Sequence, residues 1–270
     1  MNNRGLGALS GLMQRLNTPD VLNNLSDALK AEIMGGEEGG GSVSTFFTPS
    51  SMVCKRQMFY KAKGIPQEPS DFDYQMTGMA ESGTDRHNRL QDHLKNLKDW
   101  KYVDVAKYIE DNHLDLEIVS HVGNEWKLRN HKYNVSFMLD GILLYKPENK
   151  YYILEIKTEI SFKSNGRKDV DVFHKHQGLA YTQLLNIPDV IFIYENRDDC
   201  SLKFFLYTPS LEEIEKYFRQ KLSDVLYALE IDKVPKRVTP EDISLTEVVK
   251  TDKVCNYCPY KKQCGRDINV

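Results

Sequence analysis

The sequence predicts an α/β protein in which a mixed central sheet is flanked by helices. Segments with the alternating apolar pattern of strands occupy the middle of the 270-residue chain, and helical patterns lie before, between and after them. The predicted order is helix, several strands, helix, two strands, helix. A chain of this length can bury a substantial core, either in one large domain or in two smaller ones.

The chain begins with an amphipathic segment, residues 1–34, that we predict to be a helical appendage. Thr18, Pro19 and Asp20 form a typical helix start, and apolar residues then recur at helical spacing. Residues 35–47 are rich in glycine, which predicts a flexible linker before a main domain over residues 48–270. The helix can bind a protein partner, self-associate or pack on the main domain, and the sequence leaves these alternatives open.

Helices and strands of the main domain follow from apolar periodicity and turn residues. Thr48, Pro49 and Ser50 predict the start of a helix that carries Cys54. Further helices are predicted at 74–97, 171–186 and 210–229. Strands are predicted at 116–122, 132–139, 142–145, 151–157, 190–195 and 202–207.

Two carboxylates and one ammonium group lie at the ends of two neighbouring predicted strands. Because strand side chains alternate between faces, Glu155 and Lys157 share one face while Leu154 and Ile156 point into the core. Asp140 follows the preceding apolar strand, across a turn from Glu155. Charged groups seldom lie among buried residues unless they are paired or bind a metal. The two carboxylates together can hold a hard divalent cation through oxygen.

Each of these residues also has a purely structural interpretation. Asp140 followed by Gly141 favours a type I′ hairpin turn. Glu155 and Lys157 can form an ion pair on an edge strand that faces water. Singly, the structural interpretations are favoured, whereas the combination of motifs favours a site.

Three further features are candidates for the same site. Gln177 and Tyr181 share one helical face, where they can hydrogen-bond a nucleotide or a water molecule, although Tyr181 can equally be a packing residue. His87 lies in the middle of the long helix and can be a ligand or an ordinary structural histidine. A basic loop that can contact a phosphate backbone, or simply face solvent, carries Lys163, Arg167 and Lys168.

Three cysteines near the C-terminal end, Cys255, Cys258 and Cys264, have C-x2-C-x5-C spacing and can converge on one soft metal centre. Cys54, far upstream, is the candidate fourth ligand. Zinc and iron–sulfur clusters both use four thiolates, so cysteine chemistry alone leaves both open. Five cysteines, three of them clustered, favour metal ligation in a reducing compartment over a disulfide framework.

These motifs, in this order, resemble the PD-(D/E)XK nuclease superfamily, and specifically its RecB-like branch with an iron–sulfur cluster. That branch includes the CRISPR-associated exonuclease of type four, AddB-type helicase–nuclease subunits and exonuclease V. The similarity extends over residues 48–265. The matching residues, in chain order, are Thr48 to Ser50, Cys54 to Arg56, Gly83 with His87, Asp140, Glu155 to Lys157, Gln177 with Tyr181, and Cys255, Cys258 and Cys264.

The resemblance implies a restriction-endonuclease-like core with an iron–sulfur subdomain that joins the N- and C-terminal parts. It implies a DNase, most specifically an exonuclease acting on single-stranded or end-containing DNA. It also implies a Mg²⁺ or Mn²⁺ site in which an imidazole ligand favours Mn²⁺. The implied ligands are His87, Asp140, Glu155 and the backbone carbonyl of Ile156.

The same resemblance implies roles for the remaining residues. The cation would activate water and polarise the scissile phosphate. Lys157 would hold that water and offset negative charge, while Gln177 and Tyr181 would position the DNA strand. A 4Fe–4S cluster, with zinc as the alternative, would be ligated by Cys54, Cys255, Cys258 and Cys264.

Charge, hydropathy and missing motifs indicate where the protein acts and which activities are not expected. The net charge of −3 gives no overall basic surface, no apolar run is long enough to span a bilayer, and no signal peptide is recognisable. We therefore expect a cytoplasmic protein, and the resemblance to a small stand-alone nuclease implies a prokaryotic cell or a phage-infected host. The phosphate-binding motif of ATP-driven motors does not occur in the sequence. Two other functions stay open: a non-catalytic DNA-binding or assembly factor with a nuclease fold, and a structure-specific endonuclease.

Overall fold

The structure is a computed structural model that describes residues 19–35, 44–68, 74–245 and 249–267. The described residues fall into two compact units. Residues 19–35 and 74–82 belong to the first unit, and the remaining described residues belong to the second. Within the described part of the chain, no helix has the length and apolar character needed to cross a bilayer.

The elements are numbered in chain order. The helices are α1 (Pro19–Gly35), α2 (Lys55–Ala62), α3 (Tyr74–Lys95), α4 (Val105–Asp111), α5 (Ser161–Gly166), α6 (Val172–Leu185), α7 (Leu211–Ile214), α8 (Lys221–Glu230), α9 (Pro240–Ile243), α10 (Asp252–Cys255) and α11 (Lys261–Arg266). A 3₁₀ helix covers Pro49–Ser51, and a π-helical segment, Glu215–Gln220, joins α7 to α8. The strands are β1 (Trp100–Tyr102), β2 (Glu117–Val122), β3 (Glu125–Asn130), β4 (Val135–Leu139), β5 (Gly141–Tyr145), β6 (Lys150–Glu159), β7 (Val190–Asn196) and β8 (Leu202–Tyr207).

The strands form two sheets. A five-stranded sheet has the order β1-β5-β6-β7-β8, and a three-stranded sheet has the order β2-β3-β4. In the larger sheet β6 and β7 are parallel, while the other pairs are antiparallel. The helices α5 and α6 make the crossover between the two parallel strands. The predicted α/β class with a mixed sheet and flanking helices is confirmed.

The helix predicted at 171–186 shows how local sequence sets the element bounds. Asp171 caps the start of α6 by accepting a hydrogen bond from the amide of Phe173 at 3.0 Å. Asn186 ends the helix in the left-handed conformation, with φ of 55°. The helix predicted at 210–229 is observed as α7, the π segment and α8. The strand predicted from 132 begins only at Val135, because residues 131–134 form a turn. Seven short elements were not predicted: β1, α4, β3, α5, α9, α10 and α11.

The first unit contains α1 and the first turns of α3. The ammonium group of Lys30 lies 5.3 Å from the centroid of the Tyr74 ring. Three leucines of the predicted apolar stripe, Leu22, Leu25 and Leu29, are 49%, 63% and 56% exposed. Association through this helix stays a prediction.

Two predictions fall partly outside the described residues, namely residues 1–18 of the appendage and residues 36–43 of the linker. The last residue of the predicted linker, Phe47, is fully buried. Its amide donates to the carbonyl of Asn134 at 2.7 Å, and its own carbonyl accepts from the amide of Ser136 at 2.8 Å. The chain is therefore already part of the second unit at Phe47.

The strand β6 is a central strand of the larger sheet, paired with β5 on one side and β7 on the other. Leu154 and Ile156 are fully buried in a cluster with Leu90, Leu143 and Ile193, as the strand alternation predicts. Glu155 is only 3% exposed. The alternative of a solvent-facing ion pair on an edge strand is therefore wrong.

The hairpin interpretation of Asp140 and Gly141 is also wrong. The strand β4 pairs with β3, whereas β5 pairs with β1 and β6, so the two strands on either side of Asp140 belong to different sheets. Gly141 is required for a different reason: a Cβ atom there would overlap the ring of Tyr102. The Tyr102 hydroxyl in turn donates a hydrogen bond to the carbonyl of Asp140. The glycine thus allows a close contact that fixes the sheet-to-sheet junction.

We predict that Gly141→Ala lowers the free energy of unfolding by about 1–3 kcal/mol, because the added methyl group must displace the Tyr102 ring. The matched control is Gly166→Ala, since a Cβ at Gly166 meets open space and the change should stay within about 0.5 kcal/mol. Urea unfolding of both variants measures the difference. Equal midpoints for the two would contradict the close-contact explanation.

Candidate functional site

A cavity of about 400 Å³ opens beside the junction between the two sheets. All six side chains that the sequence assigned to the metal and catalytic site line this cavity: His87, Asp140, Glu155, Lys157, Gln177 and Tyr181. The 3₁₀ segment, β3 and β4 supply further lining residues, among them Ser50, Glu125 and Lys127. Residues from six elements, and Asp140 between two strands, therefore converge on a single concave surface of the second unit.

Asp140 is held on three of its atoms. Its Oδ2 accepts a hydrogen bond from the amide of Ile156 at 2.7 Å, which places its carboxylate directly beside β6. Its backbone carbonyl accepts hydrogen bonds from Tyr102 and, at 2.7 Å, from the fully buried Gln91. Its Oδ1 lies 3.3 Å from Nδ1 of His87. Of these three oxygens, Oδ1 is the one that is not held by a hydrogen bond, and it is therefore available to a ligand in the cavity.

The imidazole of His87 approaches Asp140 without good hydrogen-bond alignment, so its buried Nδ1 has no hydrogen-bond partner among the described residues. Burial acts to lower the pKa of His87, but the attraction of the Asp140 carboxylate outweighs it, and the pKa is raised. A buried nitrogen that lacks a partner and faces a carboxylate suits a cation placed between them.

Glu155 and Lys157 form a close pair in the same cavity, with Nζ of Lys157 2.5 Å from Oε1 of Glu155. Burial raises the pKa of the Glu155 carboxyl to about 7, and the charge of Asp140 adds to the rise while that of Lys157 opposes it. Burial acts to lower the pKa of Lys157, but Glu155 and Asp140 raise it overall, so its ammonium stays charged. The ammonium group of Lys157 therefore compensates only part of the negative charge that Asp140 and Glu155 carry when both are ionised.

Gln177 and Tyr181 lie on one face of α6, as predicted. The amide of Gln177 donates to the Tyr181 hydroxyl at 2.7 Å, and that hydroxyl donates to the carbonyl of Met138 at 2.8 Å. Tyr181 is only 2% exposed, and burial raises its pKa well above the ordinary value. Its ring lies 5.3 Å from that of Phe137. Tyr181 thus fixes β4 two residues before Asp140.

The predicted basic loop is partly helical, and its three cationic residues differ. The guanidinium of Arg167 forms hydrogen bonds of 2.7–2.9 Å to the carboxylate of Glu159 and lies 4.2 Å from the centroid of the Tyr194 ring. Lys163 and Lys168 are exposed. Arg167 therefore fastens the loop to the sheet, while the two lysines point to solvent.

One carboxylate of the cavity was missed by sequence reasoning. Ligand atoms of Glu125, His87 and Asp140 lie within 4.8 Å of one another. Glu125 begins β3, which pairs with β4 so that Trp126 faces Leu139. The available signal was the alternation of charged and apolar residues over 125–129, which is typical of a half-buried strand.

A second cavity, of about 280 Å³, is lined by all four predicted cysteine ligands: Cys54, Cys255, Cys258 and Cys264. Cys54 lies at the N-cap of α2, where burial raises the pKa of its thiol to about 11 and nearby backbone amides oppose the rise. The buried Arg56 donates hydrogen bonds to the carbonyls of Pro235 at 2.6 Å and Cys264 at 3.4 Å. Residues from both ends of the second unit thus meet here.

The four cysteine sulfurs line one cavity without forming a close ligand group. Among the described residues, His87, Glu125 and Asp140 are the one group of three or more potential ligands whose atoms all lie within 4.8 Å of one another. No three of the four cysteine sulfurs are therefore that close together. Sulfurs bound tetrahedrally to one zinc ion at 2.3 Å lie roughly 3.8 Å apart. The cavity thus brings together four thiols, which are side chains that can ligate a metal.

No protein-family model matches the sequence, and neither does any curated protein. Solved structures do resemble this one. The crystal structure of a protein named SSO0001 aligns with a TM-score of 0.45 and 16% identity over 89% of this chain and 96% of that chain. An alkaline exonuclease, LHK-Exo from Laribacter hongkongensis, aligns with a TM-score of 0.41 and 15% identity over 70% of this chain and 90% of that chain. LHK-Exo in complex with dAMP gives a TM-score of 0.39 and 13% identity over the same shares. At these scores the likenesses bear on no residue or activity of this protein.

We predict that Arg167→Gln lowers the free energy of unfolding by roughly 3 kcal/mol, because it leaves the buried carboxylate of Glu159 without its partner. The side chains of this pair are only 12% and 6% exposed. Lys163→Gln, in the same loop but exposed, is the control and should change the value by less than about 0.5 kcal/mol. Thermal or urea unfolding measures both. If the free energy of unfolding of Arg167→Gln equals that of the parent, the Arg167–Glu159 pair does not anchor the loop.

Proposed function

We propose that the protein is a divalent-metal-dependent DNA nuclease, specifically an exonuclease that hydrolyses single-stranded or end-containing DNA. The observation that carries the proposal is the convergence of Asp140, Glu155 and Lys157 with His87 in one cavity. Two carboxylates and an imidazole can bind a divalent cation, and a charged ammonium beside them can offset negative charge on a phosphodiester. The preference for DNA, and for ends, comes from the motif resemblance.

The residues present fit a divalent cation. The candidate ligands are Nδ1 of His87, Oδ1 of Asp140, the carboxylate of Glu155 and the carbonyl of Ile156. The first two are turned toward each other and lack other well-aligned partners on the cavity side. When bound, Mg²⁺ or Mn²⁺ supplies Lewis acidity to the phosphate and makes a water molecule more acidic.

The side chains of the cavity supply positioning and charge. Lys157 stays protonated beside Glu155 and can hold the attacking water or offset charge on the scissile phosphate. The amide of Ile156 and the side chain of Gln91 keep Asp140 in place through hydrogen bonds of 2.7 Å each. Tyr181 holds β4, and Gln177, one helical turn away, is the more exposed of the two for contact with a nucleotide.

The exposed Lys163 and Lys168 lie in the segment that directly follows β6, which carries Glu155 and Lys157. Contacts to DNA phosphates release bound counterions, so the binding they provide should weaken as salt rises. Arg167 is excluded from this role because its guanidinium is occupied by Glu159 and Tyr194. DNA contact by the two lysines is therefore part of the proposal.

The four cysteines are proposed to ligate a 4Fe–4S cluster. Their convergence in one cavity supports a shared metal centre, and the motif resemblance implies the cluster rather than zinc. The cluster would join Cys54 to the segment from Cys255 to Cys264 and so close a long loop of the chain. Its role in this proposal is mechanical.

We predict that Lys157→Ala and Asp140→Asn each lower DNA hydrolysis by about 100-fold or more, because the first removes the positive charge beside the reacting phosphate and the second removes a ligand of the cation. Lys101→Ala, which changes an exposed lysine of β1, should leave activity unchanged. The assay follows 5′-labelled, 3′-labelled and circular single strands with Mn²⁺ or Mg²⁺. An exonuclease should degrade the linear strands and leave the circles intact.

Other outcomes of this assay select the alternatives. Cleavage of circles would favour the endonuclease. Metal-independent DNA binding without turnover would favour the non-catalytic binding factor. Full activity of Lys157→Ala would remove this site from the reaction.

A separate prediction concerns the cysteine centre. Cys258→Ala should abolish the broad visible absorption of a 4Fe–4S protein and lower thermal stability, since closing so long a loop contributes on the order of 5 kcal/mol in the chain-entropy model. Cys200→Ala, at an exposed cysteine that does not line the cavity, is the control. Metal analysis with spectra before and after dithionite measures the result. A colourless native protein with stoichiometric zinc would overturn the cluster.

A further inference from the structure

The carboxylate of Glu125 enters the candidate site from outside all the motifs described above. It is carried by β3 of the three-stranded sheet, whereas Asp140 lies after β4 and Glu155 lies in the five-stranded sheet. The β3–β4 pairing ends at Trp126 with Leu139, so positions 125 and 140 are the next residues beyond that pair. The smaller sheet thus brings a third carboxylate to a cavity that already contains two.

Glu125 differs from the other two carboxylates in its contacts. Asp140 accepts a hydrogen bond from Ile156, and Glu155 is paired with Lys157. No hydrogen bond or ion pair among the described residues uses the Glu125 carboxylate. Its ligand atom lies within 4.8 Å of those of His87 and Asp140.

This arrangement is electrostatically unfavourable for the protein alone. Like charges that face each other across a strand pair are destabilising, and partial burial adds to the cost. Burial and, next, the charge of Asp140 raise the pKa of Glu125. The three carboxylates of the inner wall face the one ammonium group of Lys157, while Lys127 lies exposed at the rim. In the ligating state, with the three carboxylates ionised and His87 neutral, three negative charges against the positive charge of Lys157 leave two negative charges, which a divalent cation neutralises.

We infer that Glu125 is a ligand of the divalent cation, so that the site is completed by the three-stranded sheet as well as by the motif residues. The inference rests on the proposed function, because it assigns a further ligand to the same cation. Imidazole with carboxylate oxygens is a donor set that suits Mn²⁺. Glu125 sets the affinity of the site for that ion, and β3 becomes part of the metal-binding structure.

The experiment measures Mn²⁺ binding directly, without DNA. The full chain with its thiol-bound centre is freed of divalent ions with EDTA and titrated with Mn²⁺, and free Mn²⁺ is followed by electron paramagnetic resonance. The variants are Glu125→Gln, which keeps the side-chain size, Asp140→Asn, and Glu148→Gln as an exposed control in the turn before β6. Thermal melts without metal show that each variant is folded.

We expect Glu125→Gln to weaken Mn²⁺ binding by about tenfold or more, Asp140→Asn to abolish it at the same concentrations, and Glu148→Gln to match the parent. Glu125→Asp, which keeps the charge but shortens the side chain, should fall between the parent and Glu125→Gln. If Glu125→Gln binds Mn²⁺ like the parent while Asp140→Asn does not, the inference fails and the proposed function stands. If Asp140→Asn also binds like the parent, the cation site itself is absent and the proposed function fails with it.

Discussion

The candidate site depends on the way Asp140 is held between two sheets. Its carboxylate accepts the amide hydrogen of Ile156 on β6, and its carbonyl accepts from Gln91 and Tyr102. Asp140 itself belongs to neither β4 nor β5, so its side chain is placed by these hydrogen bonds and not by a strand ladder. Gly141 leaves room for the Tyr102 ring. Tyr102 and Gln91 can then both hold the backbone of Asp140, the residue that contacts both His87 and β6.

Fixing Asp140 in this position concentrates negative charge. Glu155 comes to lie beside it on a fully buried part of β6, and Glu125 approaches from the opposite sheet. Burial penalises each charge, and the mutual repulsion of the carboxylates adds to that penalty. The cluster lies next to Nδ1 of His87, which has no hydrogen-bond partner in the described part of the chain. Both features lower the stability of the folded protein when no cation is bound. The loss has a physical reason if a cation occupies the space, and this reasoning links the backbone geometry to the proposed chemistry.

Much of the fold and most of the site could be predicted from the sequence, and the exceptions have physical causes. Strand alternation correctly placed Glu155 and Lys157 on one face, and capping residues located α6 to within one residue at each end. Local sequence suggested a hairpin at Asp140 and Gly141, because a turn and a sheet-to-sheet crossing use the same residues and differ only in their distant partners. Glu125 was missed because its importance depends on the β3–β4 register, which no local pattern reveals. The contacts of the Arg167 guanidinium could not be predicted either, since Glu159 and Tyr194 come close to it only in the folded chain.

The two candidate centres are connected through one short segment of chain. Thr48, Pro49 and Ser50 form part of the wall of the carboxylate cavity, and Cys54, which lines the cysteine cavity, follows within a few residues. Because Met52 and Val53 between them are buried, this segment has little freedom to move at one end without the other. A centre bound by Cys54 and the C-terminal cysteines would therefore hold α2 against α10 and α11 and also keep that wall in place. Such a centre would in this way support the carboxylate site without contributing a single atom to the proposed reaction.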